Sequence, residues 1–279
     1  MNKIGFVGQG WIGKNYADDF EARGYEVIRY SLEPEYSNNK KEIANCGIVF
    51  IAVPTPTIKG EFDYSAVSEV IKLIGKGSSV VIKSTVLPTT TEKLQTENPD
   101  LFIFHAPEFL SVATAREDAR QPQFNLIGLL VDNEEYRKRA EEILKVLPKA
   151  KYEAILSAKE AELFKYLRNC FFYSKIIYMN LMYDLTEKLD CDWQNLREII
   201  AVDPWIGGMH IDPVHKTGRG AGGGCFIKDF SAFRGFYETI MKNDEKGIDI
   251  FKALEEKNLE LLRDSNKDLE MIESVYGGE

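Results

Sequence analysis

Three glycines near the N-terminus constrain the fold of this 279-residue chain more than any other feature. Gly8, Gly10 and Gly13 follow a predicted short strand, Lys3–Val7, and precede a predicted helix, Lys14–Arg23. In a βαβ unit such glycines permit a tight turn, a close approach of the backbone to a pyrophosphate, and close helix packing. We therefore predict a dinucleotide site here; a glycine-rich turn without a ligand is the alternative. The residues expected to line the site are Gly8, Gln9, Gly10, Trp11, Ile12 and Gly13.

The rest of the first half alternates short apolar runs with amphipathic stretches. Further strands are predicted at Glu26–Tyr30, Cys46–Val53, Ser79–Lys83, Leu101–His105, Leu126–Leu130 and Tyr152–Leu156. Helices are predicted between them at Ser65–Ile74, Pro88–Glu97 and Asn133–Leu147. Near-continuous apolar strands that alternate with helices indicate an α/β fold with a doubly wound, Rossmann-like parallel sheet.

The sequence pattern changes after Ser157. Ala158–Leu189 keeps helical spacing of its apolar residues without Pro or Gly, which predicts one long central helix. Beyond it we predict helices at Trp193–Ala201, Lys228–Met241 and Ile248–Arg263, a loop at Asp203–Gly224, and a frayed acidic tail. The expected domains are a Rossmann-like domain, 1–157, and an all-helical domain, 158–279, through which a homodimer would form.

Composition excludes several classes of protein. The formal net charge is −9 and dense Lys/Arg blocks are absent, which argues against nucleic-acid binding. The four cysteines are scattered and the three histidines show no helical metal-pair spacing, so neither a zinc site nor a disulfide framework is expected. Apolar runs are far shorter than the roughly 20 residues of a membrane helix. The polar, glycine-rich segment begins so close to the N-terminus that it leaves no space for the apolar core of a signal peptide. We expect a cytoplasmic protein without a membrane partner.

The end of the second predicted strand bears on the choice of cofactor. Ser31 stands where an Asp usually binds the ribose hydroxyls, with Glu33 nearby but displaced. Arg29 would suit a 2′-phosphate, or it is a solvated strand residue. We favour NAD over NADP.

Five further segments resemble one family, the UDP-glucose/GDP-mannose dehydrogenases. They are Val53–Thr57, Lys83–Pro88, Pro107–Leu110, the helix positions Glu162, Lys165 and Asn169, and the glycine-rich Gly220–Asp229. The resemblance implies NAD as cofactor, with Val53, Pro54, Thr55, Ser84 and Thr85 beside it and Ser31 at the ribose. It also implies a nucleotide-sugar substrate contacted by Glu108, Phe109, Leu110, Lys165, Asn169, Lys216, Arg219, Gly220 and Gly222. The resemblance also implies that typical members carry a further UDP-binding α/β domain after the helical one. Since this sequence stops at Glu279, we expect a short form without that domain.

The family reaction implied by the resemblance takes a primary alcohol to an acid in two NAD-dependent oxidations, for instance UDP-glucose to UDP-glucuronate. Aldehydes donate hydride poorly until a nucleophile adds, so a thiolate suits the second step. Cys225, in a glycine-rich turn just before a predicted helix, is our candidate, because helix amides favour a thiolate. For Cys46, Cys170 and Cys191 we expect the role of small buried hydrophobic residues without a part in catalysis.

The other candidate catalytic residues are polar side chains with simpler alternatives. Lys165 and Asn169 share one helix face and could stabilise an oxyanion, although a snorkelling lysine would look the same. Glu108, at a sheet edge, could activate the hydrolytic water. Thr85 and Asp229 could hold that water in place, or each could instead be a helix cap or a surface group.

Two positions depart from the family pattern, which leaves other functions open. Val112 stands where the family has Glu, and Trp205 where an Arg commonly reaches the neighbouring subunit's substrate. The alternatives are a β-hydroxyacid dehydrogenase of the 6-phosphogluconate type, which uses no catalytic cysteine, and a non-catalytic protein that binds NAD or a nucleotide sugar.

Overall fold

The structure is a computed structural model that describes residues 3–277. In chain order the strands are β1 (Ile4–Val7), β2 (Val27–Tyr30), β3 (Ile48–Ile51), β4 (Thr57–Ile58), β5 (Glu61–Phe62), β6 (Ser79–Ile82), β7 (Phe102–His105), β8 (Phe124–Leu129), β9 (Tyr152–Ser157), β10 (Val214–His215) and β11 (Gly218–Arg219). The α-helices are α1 (Trp11–Ala22), α2 (Ser65–Ile71), α3 (Thr90–Glu97), α4 (Ala115–Arg120), α5 (Glu134–Val146), α6 (Ala158–Lys188), α7 (Trp193–Val202), α8 (Gly223–Ile240), α9 (Glu245–Asp264) and α10 (Leu269–Tyr276).

The chain divides into two compact units. Unit 1 comprises the residues up to Thr55 together with Asp63–Lys165. Unit 2 comprises Pro56–Phe62 and the residues from Tyr166 onward, so the division falls within the 31-residue helix α6.

Unit 1 is built on a seven-stranded sheet in the order β2-β1-β3-β6-β7-β8-β9. The first five strands in this order are parallel to one another. The predicted α/β fold with a doubly wound sheet is confirmed, with one correction: β8 pairs antiparallel with β7, so β8 and β9 run against the other strands. The apolar pattern of β8 could not reveal its direction, because a buried strand has the same pattern in both directions.

Aromatic rings pack the core of unit 1 where the paired strands β1 and β3 face helix α1. The ring of Phe6 stacks on Phe50 at a centroid distance of 4.9 Å and meets Phe20 of α1 edge-on at 5.1 Å. All four residues of β1 are buried, as expected for a strand covered on both faces.

Helices form most of unit 2. The ring of Tyr173 on α6 stacks on Phe230 of α8 at 3.8 Å, and both side chains are buried. The short β4–β5 hairpin belongs to this unit although it follows β3, and the Thr57 hydroxyl donates to the carbonyl of Lys228 at 2.9 Å.

The structure corrects four predictions of local structure. Cys225 lies in the first turn of α8 rather than in a turn before the helix. Pro88 lies before α3, which begins at Thr90. The expected loop at Asp203–Gly224 contains the β10–β11 hairpin. The expected frayed tail forms α10, whose Ile272 and Val275 are buried with Ile227 and Leu262.

Candidate functional site

The glycine turn between β1 and α1 has the geometry that a dinucleotide requires. Gly8 has a φ of +90°, and a Cβ on Gly13 would lie 1.9 Å from the Gly8 carbonyl oxygen. A Cβ on Gly10, in contrast, would meet no atom of the described residues within 4 Å. Gly10 precedes α1, whose first turn has no acidic residue, so the helix N-terminus suits a phosphate group. Of the neighbouring residues expected at the site, Gln9 is buried, Ile12 half-buried and Trp11 exposed.

Side chains at the end of β2 favour a cofactor without a 2′-phosphate. The Arg29 guanidinium is bound by Glu21 at 2.7 Å and by Asp18 at 2.7 Å, so two carboxylates already compensate its charge. The half-buried Ser31 accepts a hydrogen bond from the Glu33 amide at 3.2 Å.

Hydrogen bonds fix the loop after β3 against the segment after β6. The Ser84 hydroxyl donates to the Val53 carbonyl at 2.8 Å and accepts from the Val53 amide at 3.0 Å. The Thr55 hydroxyl donates to the Thr85 carbonyl at 2.7 Å. Pro54, between these bonds, is exposed. Four residues expected beside the cofactor are thus brought together at the carboxyl edge of the sheet, where α/β folds bind ligands.

A buried ion pair joins two of the candidate catalytic residues. The Lys165 ammonium on α6 donates to the Glu108 carboxylate at 3.0 Å and to the Glu108 carbonyl at 2.8 Å. The other carboxylate oxygen of Glu108 accepts from the Leu110 amide at 2.8 Å, and Phe109 presents its ring 5.6 Å from the ammonium. Glu108 is 3% and Lys165 5% exposed. A pair so deeply desolvated persists because each charge compensates the other.

A cluster of buried titratable side chains lies on the neighbouring elements of unit 1. Lys83, just after β6, has its ammonium 4.3 Å from the centroid of the Tyr16 ring. Burial lowers the pKa of Lys83 to about 8, against which the Glu108 charge acts. Burial, together with the charges of Lys83 and Lys165, lowers the pKa of His105 to about 3, so this imidazole is neutral at pH 7. Lys83 and His105 were not among the predicted site residues, and their positions at strand ends were the available signal.

In unit 2, Asn169 is held by Asp229. The Asn169 amide on α6 donates to the Asp229 carboxylate at 2.7 Å, and Asp229 is 2% exposed. Lys228 donates to the other carboxylate oxygen of Asp229 at 2.6 Å. Cys225 is exposed and stands four residues before Asp229 on α8, so both lie on one face of that helix.

The remaining predicted substrate residues lie on the segment before α8. Lys216 is exposed at the turn of the β10–β11 hairpin, with a φ of +56°. The Arg219 guanidinium is bound by Asp184 at 2.7 Å and by the Asn180 side chain at 2.8 Å. Gly220 has a φ of +84°, and Gly222 is the N-cap of α8.

Sequence reasoning missed the residues that hold this segment. Asn258 and Lys267 are hydrogen-bonded to its backbone, and Asp268 accepts from the Gly223 amide at the start of α8. Asn258 gave a signal, because it lies four residues from both Leu254 and Leu262 on the apolar face of α9.

Within the described residues, 3–277, no helix is long and apolar enough to cross a membrane. The same range contains no group of three or more His, Cys, Asp or Glu side chains placed to hold a metal ion.

The mostly parallel sheet, the glycine turn and the following helices define a dinucleotide-binding protein with a Rossmann-like domain and a helical one. Two domain models of one family match the chain: the NAD binding domain of the UDP-glucose/GDP-mannose dehydrogenase family over residues 29–147, and its central domain over 159–259. The chain belongs to the UDP-glucose/GDP-mannose dehydrogenase family, and the resemblance noted in the sequence is confirmed. The first match also confirms NAD as the cofactor.

Individual relatives agree with this assignment. The UDP-glucose 6-dehydrogenase of Rickettsia prowazekii (strain Madrid E) is 32% identical over 273 residues, which cover 91% of this chain and 59% of that protein. A UDP-glucose dehydrogenase from the archaeon Pyrobaculum islandicum superposes with a TM-score of 0.80 at 26% identity, covering 94% of this chain and 69% of that one. The chain therefore spans about three fifths of the length of the curated relatives it matches.

The fold is also similar to that of a β-hydroxyacid dehydrogenase, the class of the alternative function. The 3-hydroxyisobutyrate dehydrogenase of Mycobacterium tuberculosis superposes with a TM-score of 0.73 at 16% identity, covering 99% of this chain and 98% of that one. At this identity the likeness shows the fold alone.

Proposed function

We propose that this chain oxidises the primary alcohol of a nucleotide sugar to the acid, with UDP-glucose as the first substrate to test. The observation that carries the proposal is that α6 presents Lys165 and Asn169 one turn apart, each bound to a buried carboxylate, Glu108 and Asp229. All four occupy positions of the family motifs. The relatives named UDP-glucose 6-dehydrogenase support UDP-glucose as the sugar nucleotide.

NAD, when bound at the Gly8–Gly13 turn, supplies the hydride acceptor for each oxidation. The space beside Gly10 is open in the described residues, so the Gly8–Gly13 turn would hold the pyrophosphate of the cofactor. Val53, Thr55, Ser84 and Thr85 form a hydrogen-bonded edge that would lie beside the bound cofactor.

The chain's own residues divide the chemistry among them. Loss of a hydride, and of the hydroxyl proton to solvent, converts the alcohol to the aldehyde. The Cys225 thiolate then adds to the aldehyde carbonyl carbon, and the resulting thiohemiacetal anion loses a second hydride to become a thioester. Lys165 and Asn169 stabilise the oxygen that becomes negative. Glu108 takes a proton from the water that attacks the thioester; the C–S bond then breaks, which releases the acid and restores the thiolate.

Replacing the proposed nucleophile tests the function directly. We expect the wild-type protein to form two NADH per UDP-glucose consumed, and Cys225→Ser to lose acid formation by at least a hundredfold. Cys191→Ser is the matched control, because Cys191 is also exposed but lies outside the motif. A 3-hydroxy acid substrate with full activity in Cys225→Ser would favour the β-hydroxyacid alternative instead. Binding without turnover of any UDP- or GDP-sugar would favour the non-catalytic one.

We also propose the domain limits 1–157 and 158–279, which separate the two matched family segments. The assembly that we propose is a homodimer formed by the helical part. Exposed apolar side chains recur along α6, including Phe171, Tyr178 and Leu185, and none of the residues Trp193–Val202 of α7 is buried. Contiguous exposed apolar side chains on a protein surface usually mark an interface with another protein.

A further inference from the structure

The backbone just before Cys225 is held by a side chain of α9. The Asn258 carboxamide oxygen accepts from the Ala221 amide at 2.6 Å, and its nitrogen donates to the Ala221 carbonyl at 3.0 Å. Asn258 is 1% exposed. The Asn258 side chain thus satisfies both backbone hydrogen-bonding groups of Ala221. Loss of these two buried hydrogen bonds would be costly, because it leaves buried polar groups without partners.

A buried lysine holds the same loop from the turn after α9. The Lys267 ammonium donates to the Gly220 carbonyl at 2.8 Å and to the Gly218 carbonyl at 3.3 Å. Lys267 is 5% exposed, and burial lowers its pKa. Two converging carbonyl dipoles explain why an ammonium group is tolerated there, and they tie the loop to the end of the chain.

An aspartate next to Lys267 holds the start of the helix that carries Cys225. One Asp268 carboxylate oxygen accepts from the Gly223 amide at 2.7 Å. A Cβ on Gly222 would lie 2.0 Å from that same oxygen, so the contact depends on a glycine at this position. Gly223 is the first residue of α8, two residues before Cys225.

We propose that Asn258, Lys267 and Asp268 are positioning residues that hold Cys225 in the first turn of α8. We call these three side chains the loop clamp. Gly222, Gly223 and Gly224 have no side chains that could fix the chain next to Cys225, so the clamp supplies side-chain contacts there. A thiolate gains from helix amides only within the first turn, so a small displacement of the loop reduces thiolate formation. The consequence for catalysis rests on the proposed function; the positioning itself does not.

Two variants of equal charge distinguish the effect of the Asp268–Gly223 hydrogen bond from the effect of the Asp268 charge. Asp268→Ala and Asp268→Asn both remove the negative charge, but the Asn oxygen can still accept from the Gly223 amide. We expect iodoacetamide to alkylate Cys225 about two- to fivefold more slowly in Asp268→Ala than in Asp268→Asn, the range that a helix terminus contributes. Site-resolved mass spectrometry measures the rate, with the exposed Cys191 in the same molecule as internal reference.

Two further variants keep the test decisive. Asn258→Leu changes no charge and should slow Cys225 alkylation relative to Cys191 by a similar factor. Asp264→Asn, an exposed position at the end of α9, should leave the ratio unchanged. Equal rates in Asp268→Ala and Asp268→Asn, together with a wild-type ratio in Asn258→Leu, would overturn the proposal.

Kinetics separates positioning from general destabilisation. In Asp268→Ala we expect kcat for oxidation of the nucleotide-sugar aldehyde to fall about two- to fivefold, as thiolate formation does, while KM for NAD stays unchanged. A loss that appears as a raised KM for NAD would contradict positioning at Cys225. Should the wild-type protein oxidise no nucleotide sugar, the proposed function fails, and the alkylation ratios still decide the role of the clamp.

Discussion

At the scale of single residues, an added methyl group should affect different properties at two positions of the glycine turn: protein stability at Gly13 and NAD affinity at Gly10. Gly13→Ala places a Cβ 1.9 Å from a backbone oxygen that cannot move without shifting the turn. We expect it to lower the free energy of unfolding by about 1–3 kcal/mol, the usual cost of overpacking. Urea unfolding measures this loss.

Gly10→Ala serves as the matched variant, because its Cβ enters open space among the described residues. Its free energy of unfolding should stay within about 0.5 kcal/mol of wild type. NAD affinity should fall at least tenfold, since the methyl group occupies the space of the approaching pyrophosphate. Wild-type NAD affinity in Gly10→Ala, measured by titration calorimetry, would show that the phosphates bind elsewhere.

The sequence identified several candidate side chains but not their partners. Helical spacing placed Lys165 and Asn169 on one face, yet it could not show that Glu108 binds the first and Asp229 the second, because these contacts span 57 and 60 residues. Arg219 stays a predicted substrate contact, and the sequence did not show that Asp184 and Asn180 bind its guanidinium. Such partners depend on tertiary packing, and a single sequence carries no direct record of that packing.

At the scale of elements, α10 shows how an acidic segment can be structural. Its buried Ile272 packs with Ile227 of α8 and Leu262 of α9. We expect Ile272→Ala to lower the free energy of unfolding by about 2–4 kcal/mol, the range for a buried aliphatic side chain. Glu273→Ala, an exposed neighbour on the same helix, should change it by less than about 0.5 kcal/mol. Equal urea midpoints for the two variants would mean that α10 does not contribute to this core.

The prediction of the elements succeeded where apolar periodicity was long and failed where elements were short. The helix predicted at Ala158–Leu189 is α6, within one residue. The two-residue strands β4 and β5 carry too few positions to show alternation. The start of α8 was not predicted, because glycine usually ends a helix. Here Gly222 is the N-cap of α8 and Gly223 is its first residue.

At the scale of the whole molecule, the Rossmann-like domain was predictable because its strand and helix pattern is local. The membership of the β4–β5 hairpin in unit 2 was not predictable. The hairpin is joined to the C-terminal helix by a hydrogen bond from the Gly60 amide to the Val275 carbonyl at 2.9 Å, which links residues more than two hundred positions apart. Contacts of that separation leave no periodic signal in the sequence.

The proposed homodimer makes a prediction about which apolar surface is covered. Phe171 is 61% and Leu185 49% exposed, and both lie on the repeating apolar stripe of α6. A buried charge without a partner destabilises an interface strongly, so Phe171→Glu and Leu185→Glu should each raise the dissociation constant of the dimer at least tenfold. Light scattering after size-exclusion chromatography measures the mass over a dilution series. Ile250→Glu on α9 is the control, because Ile250 is equally exposed, at 61%, and lies outside α6 and α7. A monomeric wild type at all concentrations, or dissociation by Ile250→Glu alone, would contradict assembly through the α6 stripe.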